Sequence, residues 1–343
     1  MRSRDVVQVR ICIVHPGNGW ILSRIAHELA NTHNRLDEKG VEQVLPADHW
    51  AEITPTEWLT GPGPSVDDPP FEAIFYIDVQ SCYGAGFAPA FKASMPDAKH
   101  IGFFTHADQD DVRSIDPVVG TLDGIVHMAQ REGARFTSQT DYPPEQMAVI
   151  HPGQVHDRFP LRPLRLGVCQ RGGFPGKGDP FLFEALVGLP EAVRGCIEVF
   201  VKGTGWRESA ERYASRLLPL QLRLNEGEDV ADYPRFYEAI DYLLIPSLWE
   251  GGPLALQEAL ACGVPVIAAD VGFVRDFLQV GHNGDQAPRH VAGCRIFQTG
   301  NAMALQAVLQ YEVEQRRERR RQVEHLTWAN YAERLEMFIR GLQ

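Results

Sequence analysis

No C-x-x-C pair joins any of the six cysteines of this chain, at positions 12, 82, 169, 196, 262 and 294. A structural zinc site needs closely spaced thiolate or imidazole ligands, and a disulfide frame belongs to small secreted chains, so neither is expected. Cysteines inside apolar runs such as "RICIV" and "LGVCQ" read instead as reduced, buried residues of a cytoplasmic protein. Long hydrophobic runs are also scarce: the apolar run from Ile11 to Val14 is too short for a signal segment or a membrane span. Basic residues are outnumbered, with 33 lysines and arginines against 45 aspartates and glutamates and a formal charge of -12. A general nucleic-acid binder needs a basic face for phosphate contacts, so nucleic acid is not an expected partner.

What remains is a globular composition, 44% hydrophobic and 23% charged, over 343 residues, a length that suits two cores better than one. Short β-rich runs alternate with helical patterns, the signature of an α/β chain. "VRICIVHP" reads as a buried strand, Gly17-Asn18-Gly19 as a turn and "WILSRIAHELANTH" as an amphipathic helix. "FEAIFYID", "KHIGFFTH", "DGIVHMA" and "MAVIHPG" supply further strands, each ended by polar, glycine or proline residues. The prolines of "DRFPLRPLRLGVCQ" mark a domain junction, and beyond it the alternation restarts through "LRLGVCQ", "DPFLFEALVGLP", "CIEVFVKG", "DVADYPRFYEAI" and "DYLLIPS". Two such runs predict two doubly wound domains with ligand sites at the carboxyl ends of their strands.

The densest chemistry lies in "PSLWEGGPLALQEALACGVPVIAAD", residues 246 to 270. Pro253 suits the first turn of a helix, Gly263 suits its stop, and Pro265 prevents continuation, which predicts a helix of about ten residues. Gly251 and Gly252 precede its positive dipole end, where an anion is favoured. Glu258 falls among leucines and alanines on that helix, a costly place for a carboxylate without partners; sugar hydroxyls would serve, as would a plain solvent-facing stripe.

The run Pro246 to Pro253, then Glu258-Ala259-Leu260-Ala261 and Gly263-Val264-Pro265-Val266-Ile267-Ala268, resembles the donor signature of the retaining GT-B glycosyltransferases of family GT4, the glycosyl transferases of group 1. There, two glutamates separated by seven residues flank such a helix start. "THAD" (105 to 108) is similar to a first-domain segment of the family. "IHPGQVHDRF" (150 to 159) is similar to its Asn-Gly-Val-Asp segment, with Pro152-Gly153 for Asn-Gly. "QRGGFPGKGD" resembles its phosphate segment, with Arg171 and Lys177 one residue further apart than usual, and "TWANYAERLEMFI" its last helix.

The resemblance implies a GT-B fold: two Rossmann-like domains facing across a cleft, over residues 1–160 (acceptor side) and 161–325 (donor side). A terminal helix, 326–343, would return to the first domain. It implies a metal-independent, retaining hexosyl- or deoxyhexosyltransferase of glycan biosynthesis, with no cofactor. The donor would be a nucleoside diphosphate sugar, a UDP-sugar first and a GDP- or dTDP-sugar otherwise, and the acceptor a hydroxyl of a glycan, a lipid-linked or a small molecule. Glu258 would hold the ribose and Glu250 the transferred sugar, while Arg171 and Lys177 neutralise the diphosphate. Gly251, Gly252, Pro253 and Leu254 would form the dipole end, Gly17 and Gly19 would approach the diphosphate from the first domain, and His106 would lie near the donor sugar. The run Arg316 to Arg321 has two readings, contact with anionic lipid at the inner face of a membrane or a solvated helix face pairing with Glu312, Glu314 and Glu318.

Departures from the family pattern are specific. Phe273 stands at a usual glycine, Arg275-Asp276 where Pro-Glu is common, and Gly252 where a large apolar residue is frequent. Lys202 is an extra cation with two readings, facing the diphosphate or facing solvent, the second preferred. Competing motifs fail on chemistry. "GGFPGKGD" has three residues between glycines where a P-loop needs four, and Gly178 where a magnesium-binding hydroxyl belongs. Asp108-Gln109-Asp110 reads as a solvated loop, Gly17-Asn18-Gly19 lacks the third glycine of a dinucleotide fingerprint, and His127, His151 and His156 read as satisfied structural histidines. A sugar-nucleotide 2-epimerase on the same architecture and a non-catalytic nucleotide-sugar binder are the alternative functions.

Overall fold

The computed structural model describes residues 9–15, 21–33, 50–53, 70–77, 79, 92–105, 119–227, 230–280 and 289–342. The chain forms two compact units, Met1–Phe159 with Val323–Gln343, and Pro160–Gln322. Each is built on a six-stranded parallel sheet, so the α/β class and the doubly wound pattern hold in both.

In the first unit the order is β2–β1–β3–β4–β5–β6, from β1 Ile11–Val14, β2 Trp50–Ile53, β3 Ala73–Ile77, β4 Lys99–Phe104, β5 Gly124–His127 and β6 Met147–Val149. Every residue of β1, β3 and β5 is buried, as expected of parallel strands covered on both faces. Helix Ile21–His33 buries Leu22, Ile25, Ala26, Leu29 and Ala30, a stripe at helical spacing. Helix Trp328–Gly341 buries Tyr331, Ala332, Leu335 and Ile339 in the same core. Its start is fixed twice. The Thr327 hydroxyl accepts from the Asn330 N–H at 3.1 Å. Gly153 lies so close that a Cβ there would fall 2.4 Å from the Trp328 nitrogen. The Pro152-Gly153 segment therefore meets a packing demand.

The histidines of this unit differ from expectation. His151 Nδ1 is paired, 2.7 Å from the Met128 carbonyl. Among the described residues, however, neither ring nitrogen of His127 has a hydrogen-bond partner, nor has Nε2 of His156. His127 is enclosed by Phe104 and Phe136, and burial lowers its pKa to about 4. His100 is lowered to about 4 as well, by burial first and Lys92 second, with its Nδ1 2.7 Å from the Tyr76 hydroxyl.

In the second unit the order is β12–β11–β10–β7–β8–β9, from β7 Leu164–Cys169, β8 Ile197–Lys202, β9 Gln221–Asn225, β10 Tyr242–Ile245, β11 Val266–Ala269 and β12 Arg295–Phe297. Strands 7 to 9 run outward in one direction and strands 10 to 12 in the other, so the order reverses between β7 and β10. A crevice opens at such a reversal. Trp206 is fully buried beneath it, edge-on to Phe183, and its indole N–H donates to the Gln170 carbonyl at 2.8 Å.

Helix Ala302–Glu324 carries the basic run, and the structure corrects one of its expected pairings. Glu312 is buried and pairs with Arg295 at 3.0 Å and the Tyr242 hydroxyl at 2.7 Å, away from the arginines. Arg316 pairs with Asp241 at 2.7 Å, Arg317 donates to the Ala192 carbonyl at 2.8 Å, and Arg321 sits 2.5 Å from Glu314 and 2.7 Å from Glu318. No helix among the described residues is long and apolar enough to cross a membrane.

The buried histidines set a pH dependence. Each is neutral in the fold down to about pH 4, whereas an unfolded histidine gains its proton near pH 6.5. Between those values the unfolded chain binds more protons, so the stability of the first unit is full above about pH 6.5 and falls as pH drops toward about 4. Chemical denaturation at pH 7 and pH 4.5 should show this loss, and His127→Phe should reduce it. Equal losses in wild type and variant would remove His127 from the account.

Candidate active site at the strand reversal

A cavity of about 380 Å³ lies at the carboxyl ends of β7 and β10. Seven of the residues singled out from the sequence line it: Arg171, Lys177, Glu250, Gly252, Pro253, Leu254 and Glu258. Gly251 borders a neighbouring cavity of about 360 Å³ that shares Lys177 and Glu250 and is flanked by Phe174 and Trp249. Gly17, Gly19, His106 and the Asp108–Asp110 stretch lie outside the described residues. Among the described residues, no group of three His, Cys, Asp or Glu side chains could hold a metal.

Two loops meet here. The one after β7 carries Arg171, which is exposed, and turns at Gly178, whose φ of 76° is left-handed and whose Cβ position lies 2.2 Å from the Pro246 carbonyl oxygen. Any other residue would push the loops apart. Across the gap Lys177 Nζ donates to Glu250 Oε1 at 2.9 Å. The same carboxylate oxygen accepts from the hydroxyl of Ser247, which is fully buried and lies 3.0 Å from Gln170 Oε1. Gln170 in turn donates from Nε2 to the Lys177 carbonyl at 2.6 Å. Lysine and glutamate are thus held by a ring of contacts from both loops.

The helix that follows runs Leu254–Ala261, eight residues, shorter than predicted, because Pro253 is its N-cap in extended conformation and not its first turn. No side chain caps this start. Its uncapped N–H groups stand at the cavity wall formed by Pro253, Leu254 and Ala255, where an anion would satisfy them. Glu258, one turn along, faces the cavity, which overturns the solvent-stripe reading. Its Oε2 accepts from the Tyr237 hydroxyl at 2.6 Å. Burial, with this bond second, raises the Tyr237 pKa, and burial also raises that of Cys169, so both stay protonated donors.

Sequence reasoning missed Gln170, Tyr237 and Ser247, none of which has a spacing that marks it. It misplaced Lys202, which is buried. It identified Gly252 and Phe273 as separate departures, and the structure joins them. A Cβ on Gly252 would fall 1.8 Å from the Phe273 ring. The phenylalanine occupies the space that a side chain at 252 would need.

Residues 174–324 match the family model for glycosyl transferases group 1. The D-inositol 3-phosphate glycosyltransferase of Streptomyces bingchenggensis is 29% identical over 198 residues, covering 50% of this chain and 43% of the relative. That of Mycobacterium sp. (strain KMS) is 28% identical over 197 residues, covering 51% and 44%. This chain therefore spans about half the length of the curated relatives it matches. Among solved structures, the apo lipopolysaccharide outer core galactosyltransferase WaaB aligns at a TM-score of 0.36 and 14% identity, over 96% of this chain and 98% of its own. Sucrose-phosphate synthase of Thermosynechococcus elongatus aligns at 0.37 and 14%, over 97% and 98%.

The Gly252 and Phe273 contact makes a double-mutant prediction. Gly252→Phe alone should destabilise the second unit by about 1–3 kcal/mol through overpacking. Phe273→Gly in the same chain should return most of that, a favourable coupling on the order of 1 kcal/mol or more measured by urea denaturation. Strict additivity would show that the two side chains do not compete for one space.

Proposed function

We propose that this chain moves a hexosyl or deoxyhexosyl group from a nucleoside diphosphate sugar to a hydroxyl acceptor, with retention, a reading supported by the match of residues 174–324 to the family model for glycosyl transferases group 1. The observation that carries this reading is the convergence of Arg171, Lys177, Glu250, Glu258 and an uncapped helix start on one cavity at the strand reversal. Each part has a matching demand on the donor. Glu258 keeps Oε1 for a ribose hydroxyl while Tyr237 holds Oε2. Glu250 receives hydroxyls of the transferred sugar. Arg171, Lys177 and the helix start face the diphosphate, where negative charge grows as the bond from the anomeric carbon to the phosphate oxygen breaks. These cations provide for charge that a metal would otherwise neutralise. The acceptor oxygen bonds to the anomeric carbon on the same face, and its proton passes to the departing phosphate oxygen, so no enzyme nucleophile is needed.

A UDP-sugar is the first donor to test, with GDP- and dTDP-sugars next. D-inositol 3-phosphate, named for the relatives, is the first small acceptor to try against this chain. An isomerase would need a carboxylate poised to take a proton from the sugar; both cavity glutamates are instead bound to Lys177 and Tyr237. A lipid role for the basic run is disfavoured, since Arg316, Arg317 and Arg321 are engaged within their own unit.

Two measurements test the reading. In calorimetry, Glu258→Ala should weaken binding of the preferred nucleoside diphosphate by about tenfold or more, the worth of a charge-assisted hydrogen bond; unchanged affinity would remove the ribose role. Lys177→Ala should lower kcat with saturating donor by about a hundredfold. It should also cost about 1–3 kcal/mol of stability, because Glu250, only 9% exposed, loses its cation. A normal kcat in the folded variant would contradict leaving-group stabilisation.

A further inference from the structure

The second cavity beside the donor site has a different chemistry. Its volume is about 360 Å³, its whole lining belongs to the second unit, and it shares only Lys177 and Glu250 with the larger cavity lined by Arg171 and Glu258. The ion pair is their common wall. Beyond that pair the lining is aromatic and backbone, with Phe174 from the loop after β7 and Trp249 from the loop after β10. Phe174 is 56% exposed and Trp249 71% exposed. Apolar side chains scattered singly over a surface need no explanation, but two large aromatics from separate loops, gathered at one cavity against the pair that fixes the site, do.

Both aromatics are seated. The Phe174 carbonyl accepts from the Lys177 N–H at 2.9 Å, closing a turn whose second residue, Pro175, has its backbone set by the ring. Phe174 and Lys177 are thus the two ends of one tight turn. The Gly176 carbonyl accepts from the Leu248 N–H at 2.8 Å, and a Cβ on Gly176 would fall 2.6 Å from the Trp249 ring. Glycine at 176 lets the indole lie against the turn while most of its surface stays open. A tryptophan kept for packing would be covered; this one is held in place and left bare.

An open aromatic face beside a carboxylate matches one class of ligand. A pyranose carries C–H groups on its faces and hydroxyls around its edge, so it can lay a face on an indole and turn an edge to Glu250. The charges suit a neutral ring: Lys177 is already bound to Glu250 at 2.9 Å, and no other charged side chain among the described residues lines the cavity. Position then selects which ring. Resting on the donor reading above, the transferred sugar reaches Glu250 from the larger cavity, and the acceptor hydroxyl meets its anomeric carbon from adjoining space that the donor leaves free. We infer that Trp249 and Phe174 form the platform for the acceptor, and that the acceptor is a neutral pyranoside, a glycoside or the end of a glycan, and not a phosphorylated polyol.

The probes are the methyl pyranosides of glucose, galactose, mannose and N-acetylglucosamine, with maltose, lactose and, as the charged comparison, D-inositol 3-phosphate. Each is titrated by ligand-observed NMR into the full chain saturated with its preferred nucleoside diphosphate. At least one neutral sugar should bind, and more tightly than D-inositol 3-phosphate. Trp249→Ala should weaken that sugar by about tenfold and Trp249→Phe, which keeps a ring, by less. Phe174→Ala, on the other loop, should weaken it too. Affinity for the free nucleoside diphosphate should not change in these variants, since neither side chain lines the larger cavity. A wild type that holds its nucleotide but binds no neutral sugar, or prefers D-inositol 3-phosphate, overturns the inference, as does unchanged sugar affinity in Trp249→Ala. If Trp249→Ala instead weakens the nucleoside diphosphate sugar relative to the free nucleotide and leaves the neutral sugars alone, the platform holds the transferred ring and the acceptor assignment is wrong. In all these cases the donor site survives. If the wild type binds no nucleoside diphosphate, the donor reading fails and this inference falls with it.

Discussion

The Lys177–Glu250 ion pair is the constraint around which the second unit's crevice is built. It spans the two loops that leave β7 and β10 on either side of the strand reversal, and its two residues sit 73 apart in the sequence. The pair alone would be a partly solvated contact of modest worth. What fixes it is the support: the buried Ser247 hydroxyl on the carboxylate, Gln170 reaching the Lys177 carbonyl, and Trp206 holding the Gln170 carbonyl from below. The close approach of Gly178 to Pro246 brings the loops near enough for these bonds to form. Side-chain geometry at the cavity is therefore set before any ligand arrives, which is the condition for electrostatic catalysis without reorganisation.

Charge bookkeeping across the cavity gives the pair a second consequence. Arg171 and Lys177 share the cavity with Glu250 and Glu258, so the formal charges of these four side chains cancel and the helix start is what favours an anion there. Any anion entering here would share Lys177 with Glu250, with the uncapped helix start and the exposed Arg171 beside it. Glu250, kept from moving by Ser247, keeps its other carboxylate oxygen for a ligand in the cavity. Tyr237 does the same for Glu258: by occupying one oxygen it orients the other.

Legibility in the sequence followed burial. Strands such as β3 and β5 are buried at every position, and their continuous apolar runs were read correctly; β11 is equally buried but was not read as a strand. The strands β2, β9 and β12, all at sheet edges, were not seen. There "QLRLN" alternates between exposed and half-buried positions, and "WAEI" has no apolar run at all. At the site, Glu250 and Glu258 stood out as carboxylates in an otherwise apolar stretch, and Arg171 and Lys177 through the family resemblance alone. Ser247, Gln170 and Tyr237 were silent, since what a hydroxyl or an amide does depends on which distant segment folds onto it. Lys202 was placed correctly in its strand but read as facing solvent because a lysine is ordinarily solvated, whereas it closes β8 with its side chain buried.

Gly252 and Phe273 teach something more exact about departures from a family pattern. The bulkier Phe273 put the shape of the cavity in doubt; in the structure its ring takes the space that a side chain at Gly252 would need. The same logic separates the two stretches of family resemblance. Residues 246 to 258 resemble the family where the chain lines a cavity, and the reasons for its residue types are charge and hydrogen bonding. Residues 150 to 159 resemble it where Gly153 abuts the Trp328 backbone and Gln154 donates to the Leu326 carbonyl at 2.7 Å. There the demand is steric, set by the entry of the terminal helix into the first unit's core, and a substitution at Gly153 would act on stability and not on chemistry. Similar degrees of resemblance thus arise from unrelated physical causes, and only the contacts tell which stretch bears on catalysis.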